Sequence, residues 1–207
     1  EVADSFAEIG VTDIVALRGD PENGAPTFTP HADGFADSVE LIEALAKTGK
    51  FTLRVGAYPE PHPESHDQAQ NVEWLKRKFD AGADEAITQF FFETETFLRF
   101  RDACAAAGIT KTITPGIMPV TNWKSARNFA TRCGASVPAA LDEAYAAAIR
   151  DDRHDLLSTA LCTEMCSELV SEGVENLHFY TLNRPELTRA VCRALGVTSQ
   201  TSLSDVA

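Results

Sequence analysis

The chain has 207 residues, 44% hydrophobic and 24% charged, which fits one soluble globular domain with a sizeable core and leaves no run long enough to span a bilayer. Its net charge of -13 opposes general binding to nucleic acid or to an anionic membrane surface, so any anionic ligand has to be held by a local group of cations. Five cysteines without a CxxC pair, and an N-terminus lacking the basic and apolar regions of a signal peptide, point to reduced thiols in the cytoplasm.

Residues 2–10 pattern as the end of a helix, because Val2, Phe6 and Ile9 share a face and Gly10 suits a C-cap. The apolar run 14–17 reads as a strand that ends in Arg18, Gly19 and Asp20 and opens a Pro-, Gly- and Asn-rich loop. Val39, Leu41, Ile42, Leu45 and Ala46 recur at helical spacing, which predicts a helix over 35–47. A strand over 51–59 runs into the proline-studded PEPHPESH, followed by a helix over 67–81. EAITQFFF, 85–92, is a third strand whose polar Gln89 is either a satisfied core amide or a ligand contact. A helix over 95–107, a strand over 113–120 and a helix over 123–133 continue the alternation. Helices over 138–149 and 156–172 precede a fifth strand over 177–184, and Pro185 starts a last helix to 195. The small, polar tail 198–207 is expected to be disordered.

Five βα units in succession predict an α/β fold, with a parallel sheet covered by helices, either doubly wound or part of a (β/α)8 barrel. An eight-stranded barrel takes ~250 residues, so this chain is short of one by roughly three units at its start. In both architectures ligands bind at the carboxyl ends of the strands. That rule selects Arg18, Gly19 and Asp20; Tyr58, Glu60 and His62; Gln89; Pro115 and Gly116; and Thr181, Asn183 and Arg184.

No GxGxxG, P-loop or nucleophile elbow is present, so Rossmann-type binding and covalent catalysis lack support. Arg18 and Asp20 either bind a ligand or pair with each other. His62 and His66 sit among carboxylates, but Pro59, Pro61 and Pro63 keep the stretch extended and oppose an i, i+4 metal pair. Lys76, Arg77 and Lys78 form the densest cationic run, which is either a solvated helix face or a phosphate contact. Asp20 and Glu60 are candidate paired carboxylates, although no spacing rule singles them out.

IVALRGD, GAYPEPHPES, LKRKFDAGADEAITQFFFE, LRFRDACAAAGI, ITPGIMPVTNW and EGVENLHFYTLNR follow one another across 11–197. Together they resemble the methylenetetrahydrofolate reductase family. The resemblance implies a (β/α)8 TIM barrel, of which strands four to eight are present. It also implies an FAD-dependent enzyme of one-carbon and methionine metabolism that uses NADH or NADPH to reduce 5,10-methylenetetrahydrofolate to 5-methyltetrahydrofolate and is expected as a homo-oligomer.

By that resemblance Asp20, Gln89 and Phe129 stand at the reacting centre, with no metal. Arg18, Gly19, Asp20, Phe35, Ala36, Tyr58, His62, Asn71, Arg77 and Lys78 would contact FAD, Asn71 at a position that is aspartate in some members. Asp20, Gln89, Ser125 and Arg184 would bind substrate, with Ser125 where a glutamine is known in the family. The glutamate that protonates the folate, and a threonine and a histidine of the flavin site, belong to the three strands not found here. Five strands would leave two unpaired edges, so residues 1–197 are expected to be part of a longer reductase domain. A catalytically incomplete binder of flavin or a partner, and a metal-dependent barrel hydrolase using His62 and His66, are the rival readings.

Overall fold

The computed structural model describes residues 2–19, 28–62, 65 and 67–197. Helices and strands alternate: α1 (Val2–Glu8), β1 (Asp13–Ala16), α2 (Ser38–Ala46), β2 (Thr52–Ala57), α3 (Gln68–Asp80), β3 (Glu85–Phe90), α4 (Thr94–Ala106) and β4 (Ile113–Ile117). Then come α5 (Trp123–Cys133), α6 (Ala139–Arg150), α7 (His154–Ser171), β5 (His178–Phe179) and α8 (Pro185–Ala194). The sheet order is β1-β2-β3-β4-β5, with parallel registers that set Val15 against Arg54, Arg54 against Glu85 and Gly116 against His178. Sequential order with helical crossovers is the pattern of a (β/α) fold.

The chain divides into two compact units, the first comprising Glu1–Gln89 and Leu98–Thr114. Strand β2 explains its layering. Leu53, Val55 and Ala57 are buried against helix residues such as Ile42, Leu75, Phe79 and Phe100, while the alternate Thr52, Arg54 and Gly56 are half-buried on the other face. On that second face Arg54 bonds Glu85 at 2.7 Å and also pairs with Asp13. A hydrogen bond from the Thr12 hydroxyl, then the Arg54 bond, hold the Asp13 carboxyl below the usual carboxylate range. Asp84 accepts the Leu53 backbone N–H at 2.8 Å, tying the start of the third strand to the second.

Helix α2 begins three residues later than its apolar spacing suggests. Asp37 accepts the backbone N–H groups of Val39 and Glu40, and Glu40 reaches back to the Ala36 N–H at 2.8 Å. This reciprocal capping leaves Phe35 and Ala36 outside the helix.

The second unit comprises Phe90–Phe97 and Pro115–Ala207. Its core gathers Phe90, Met118, Val120, Trp123, Ala126 and Tyr145. Trp123 stacks on Tyr145 with centroids 4.3 Å apart and donates its indole N–H to Asp142 at 2.9 Å. Helix α5 has the bounds its sequence predicts because Asn122 caps its start and Gly134, at φ 74, takes the left-handed C-cap. The fifth strand is shorter than expected. Leu182 and Asn183 both have positive φ, 49 and 60, and Arg184 N–H donates to Thr181 carbonyl at 2.8 Å, so the predicted strand turns after Phe179. Residues 198–207, read as a disordered tail, lie outside the described residues.

Candidate functional site

In the first unit the loop after β2 is rich in proline and cannot satisfy its carbonyls through a strand ladder. Helix α3 supplies the donors. Asn71, 6% exposed, donates its amide to the Tyr58 carbonyl at 3.2 Å and to the Glu60 carbonyl at 2.7 Å. Gln68 adds a bond to the Pro59 carbonyl at 3.1 Å. These bonds hold the loop so that the Tyr58 and His62 rings meet edge to face, 4.5 Å between centroids. Asn71 therefore acts on the candidate cofactor residues through the backbone.

Lys78 lies two turns further on and is also 6% exposed. Its ammonium donates to the Gly56 carbonyl at 2.7 Å and stands 6.0 Å from the Tyr58 ring. Among the described residues no carboxylate lies within ion-pairing distance of it. Burial lowers its pKa to about 8, the Arg18 charge adds to that shift, and the more remote Asp37 carboxylate opposes it. The adjacent Arg77 is exposed and stacks on Trp74 at 4.3 Å. The cationic run thus splits: Lys78 belongs to the buried stripe of α3 with Asn71 and Leu75, Arg77 to its surface.

Arg18, half-buried beyond β1, lies 4.7 Å over the Phe28 ring. Gly19 follows at φ 86, and a Cβ built there would meet nothing within 4 Å, so its backbone borders open space. Asp20 and His66 lie outside the described residues. Phe35 and Ala36 are exposed ahead of α2. Gln89, half-buried near the end of β3, falls by strand alternation on the face that carries Arg54 and Glu85.

In the second unit Phe129 is half-buried and stacks on Phe90, centroids 5.3 Å apart, with the Arg132 guanidinium 5.5 Å from its ring. Ser125 is exposed in the first turn of α5, its backbone N–H bonded to Asn122. Arg184 is exposed at the start of α8, directly after the left-handed turn.

The first-unit residues offer an anionic ligand two neighbouring cations, since Arg18 is close enough to Lys78 for its charge to lower the Lys78 pKa. Lys78 stands near the Tyr58 ring and Arg18 over the Phe28 ring, and the glycine that follows Arg18 leaves its backbone open to close approach. Sequence reasoning missed Asp37, although D-S-V-E at 37–40 is a readable capping box, and it missed the loop-holding role of Asn71. No group of three or more His, Cys, Asp or Glu able to hold a metal occurs among the described residues. Burial pushes the Cys104 thiol up to about 12, far from a reactive thiolate. No described helix is long and apolar enough to cross a membrane.

A family model described as methylenetetrahydrofolate reductase matches residues 1–196. The 5,10-methylenetetrahydrofolate reductases of Pectobacterium carotovorum and Escherichia coli are 42% and 41% identical to the chain, each over 95% of it and 64% of the relative. The chain therefore spans 64% of the length of these curated relatives. A rice protein named probable methylenetetrahydrofolate reductase (NADH) is 35% identical over 94% of the chain and 35% of its own length. Among solved structures, a Clostridium thermocellum protein described as binding two copies of 5-methyl-5,6,7,8-tetrahydrofolic acid superposes with a TM-score of 0.56. At 15% identity, covering 89% of this chain and 72% of that one, it shows a shared fold.

Proposed function

Because the chain belongs to the methylenetetrahydrofolate reductase family, we propose that the polypeptide carrying it reduces 5,10-methylenetetrahydrofolate to 5-methyltetrahydrofolate in the cytoplasm, with FAD as cofactor and NADH or NADPH as reductant. Assembly as a homo-oligomer, and five strands that correspond to the fourth to eighth of a barrel, complete that reading. The observation that carries the cofactor assignment is Lys78, a buried ammonium held only by a carbonyl among the described residues.

FAD, when bound, would supply a carrier that accepts a hydride from the nicotinamide and delivers it to the folate. The chain's residues bind and orient. Lys78 and Arg18 would offset the charge of the diphosphate, and Arg77 would reach phosphate or ribose from the helix surface. Gly19 would admit close backbone approach, while Tyr58, His62, Phe35 and Ala36 would line the cofactor. Asn71 would act by holding the Tyr58–Glu60 backbone in place.

Asp20 would favour the cationic iminium form of the folate by its charge. Gln89 would hydrogen-bond the folate or the nicotinamide, and Phe129 would pack against whichever of them is present. Arg184 would pair with a folate carboxylate, and Ser125 would offer one hydroxyl to the same substrate. The general acid that opens the folate ring would come from outside the residues of this chain.

The test is to purify the natural polypeptide, release and quantify its flavin, and follow NADH and NADPH oxidation with and without methylenetetrahydrofolate. One FAD per chain and folate-dependent turnover are expected. A folded, colourless protein that binds no added FAD would overturn the reading.

A further inference from the structure

The second unit holds a cavity of about 340 Å³, a size suited to a small molecule. Its wall is apolar and adaptable: Met118 and Met165, the only methionines of the chain, both line it, together with Phe92 and Leu161. Tyr145 and Ser158, each buried, also line it, and their hydroxyls share one hydrogen bond of 3.2 Å. Two hydroxyls carry two hydrogens. Among the described residues neither hydroxyl makes another hydrogen bond, so one O–H remains for a guest.

The charge around this cavity has one sign. Glu93, Glu95, Glu164 and Glu168 line it and are exposed, Glu168 accepting a bond from the Thr94 hydroxyl and Glu95 having a partner of its own, and no lysine, arginine or histidine lines it. Folate, the nicotinamide dinucleotides and FAD are all anions, so four carboxylates disfavour each of them there. A neutral apolar guest would fill the wall and offer the carboxylates of Glu93 and Glu164 no cation.

We propose that this cavity binds a small organic cation with an apolar body, an aryl- or alkylamine, whose ammonium meets the glutamates while its apolar end rests against Met118 and Met165. An uncharged analogue of equal shape then loses the carboxylates, and an anionic one is repelled.

The test is methyl NMR of the natural polypeptide labelled at methionine, with the two cavity signals assigned by Met118→Leu and Met165→Leu. The probes are 2-phenylethylamine, 2-phenylethanol and 3-phenylpropionate. The amine is expected to shift both signals saturably and to bind about tenfold tighter than the alcohol, as two or three exposed ion pairs imply. The propionate is expected to leave both signals in place. Glu164→Gln with Glu168→Gln, both at exposed positions, is expected to weaken the amine about threefold to fivefold and leave the alcohol unchanged. Added salt should likewise weaken only the amine, a readout that needs no variant. Absence of saturable shifts with the amine, equal affinity of amine and alcohol, or indifference to salt would overturn the proposal.

Discussion

Replacing Lys78 with methionine removes a cation and keeps a side chain of similar length. In the folded chain burial lowers Lys78 from 10.5 to about 8. At about 1.4 kcal/mol for each tenfold change in proton affinity, keeping the charged form there costs ~3 kcal/mol at neutral pH. Losing the bond to the Gly56 carbonyl costs about 1–2 kcal/mol in the other direction. Lys78→Met is therefore expected to stabilise the chain by ~1–2 kcal/mol near neutrality.

The pH dependence has a definite sign. The folded value lies below the unfolded one, so the wild-type chain releases a proton on folding between about 8 and 10.5, and its stability rises with pH across that window. The variant has no such gain, so its advantage shrinks through the window and ends as a deficit above it. Urea unfolding of both proteins without flavin, at neutral pH and near the upper end of the window, measures this. A deficit of equal size at both pH values would refute the reasoning and make Lys78 an ordinary structural donor.

Asn71→Ala should cost about 1–3 kcal/mol in chemical denaturation, because the Tyr58 and Glu60 carbonyls lose their donor. Asn71→Asp should cost more at neutral pH, since it sets a carboxylate against two carbonyls, and the loss should ease as the carboxyl protonates. Gly108→Ala should cost about 1 kcal/mol, the price of a φ of 80 with nothing within 4 Å of the added carbon. Gly82→Ala should lose a further ~1–3 kcal/mol in thermal unfolding, because its Cβ would stand 2.6 Å from the Ala46 Cβ; equal losses at both glycines would contradict that contact. Asp142→Ala should cost about 1–3 kcal/mol and change the Trp123 emission, because it strands the indole N–H.

What the sequence disclosed depended on whether the physical signal was local. Helix α5 was readable to the residue because Asn122 and Gly134 mark its ends in the chain itself. The fifth strand was over-extended because LHFYTL alternates like a strand, while Leu182 is no turn former and only the fold turns it left-handed. The late start of α2 was legible in Asp37 and Glu40 but was outweighed by apolar spacing. Lys76, Arg77 and Lys78 read as one cationic run, yet the 3.6-residue period already put Lys78 on the stripe of Asn71 and Leu75. The cavity walled by Met118 and Met165 had no sequence signal, because the residues that build it come from separate elements.

The most direct measurement of the central claim is a pair of rapid-mixing half-reactions on the purified natural polypeptide. NADH or NADPH should bleach the visible flavin band, and 5,10-methylenetetrahydrofolate added to the bleached protein should restore it while 5-methyltetrahydrofolate forms. Bleached flavin that only oxygen restores, with no methyl product, would contradict the account.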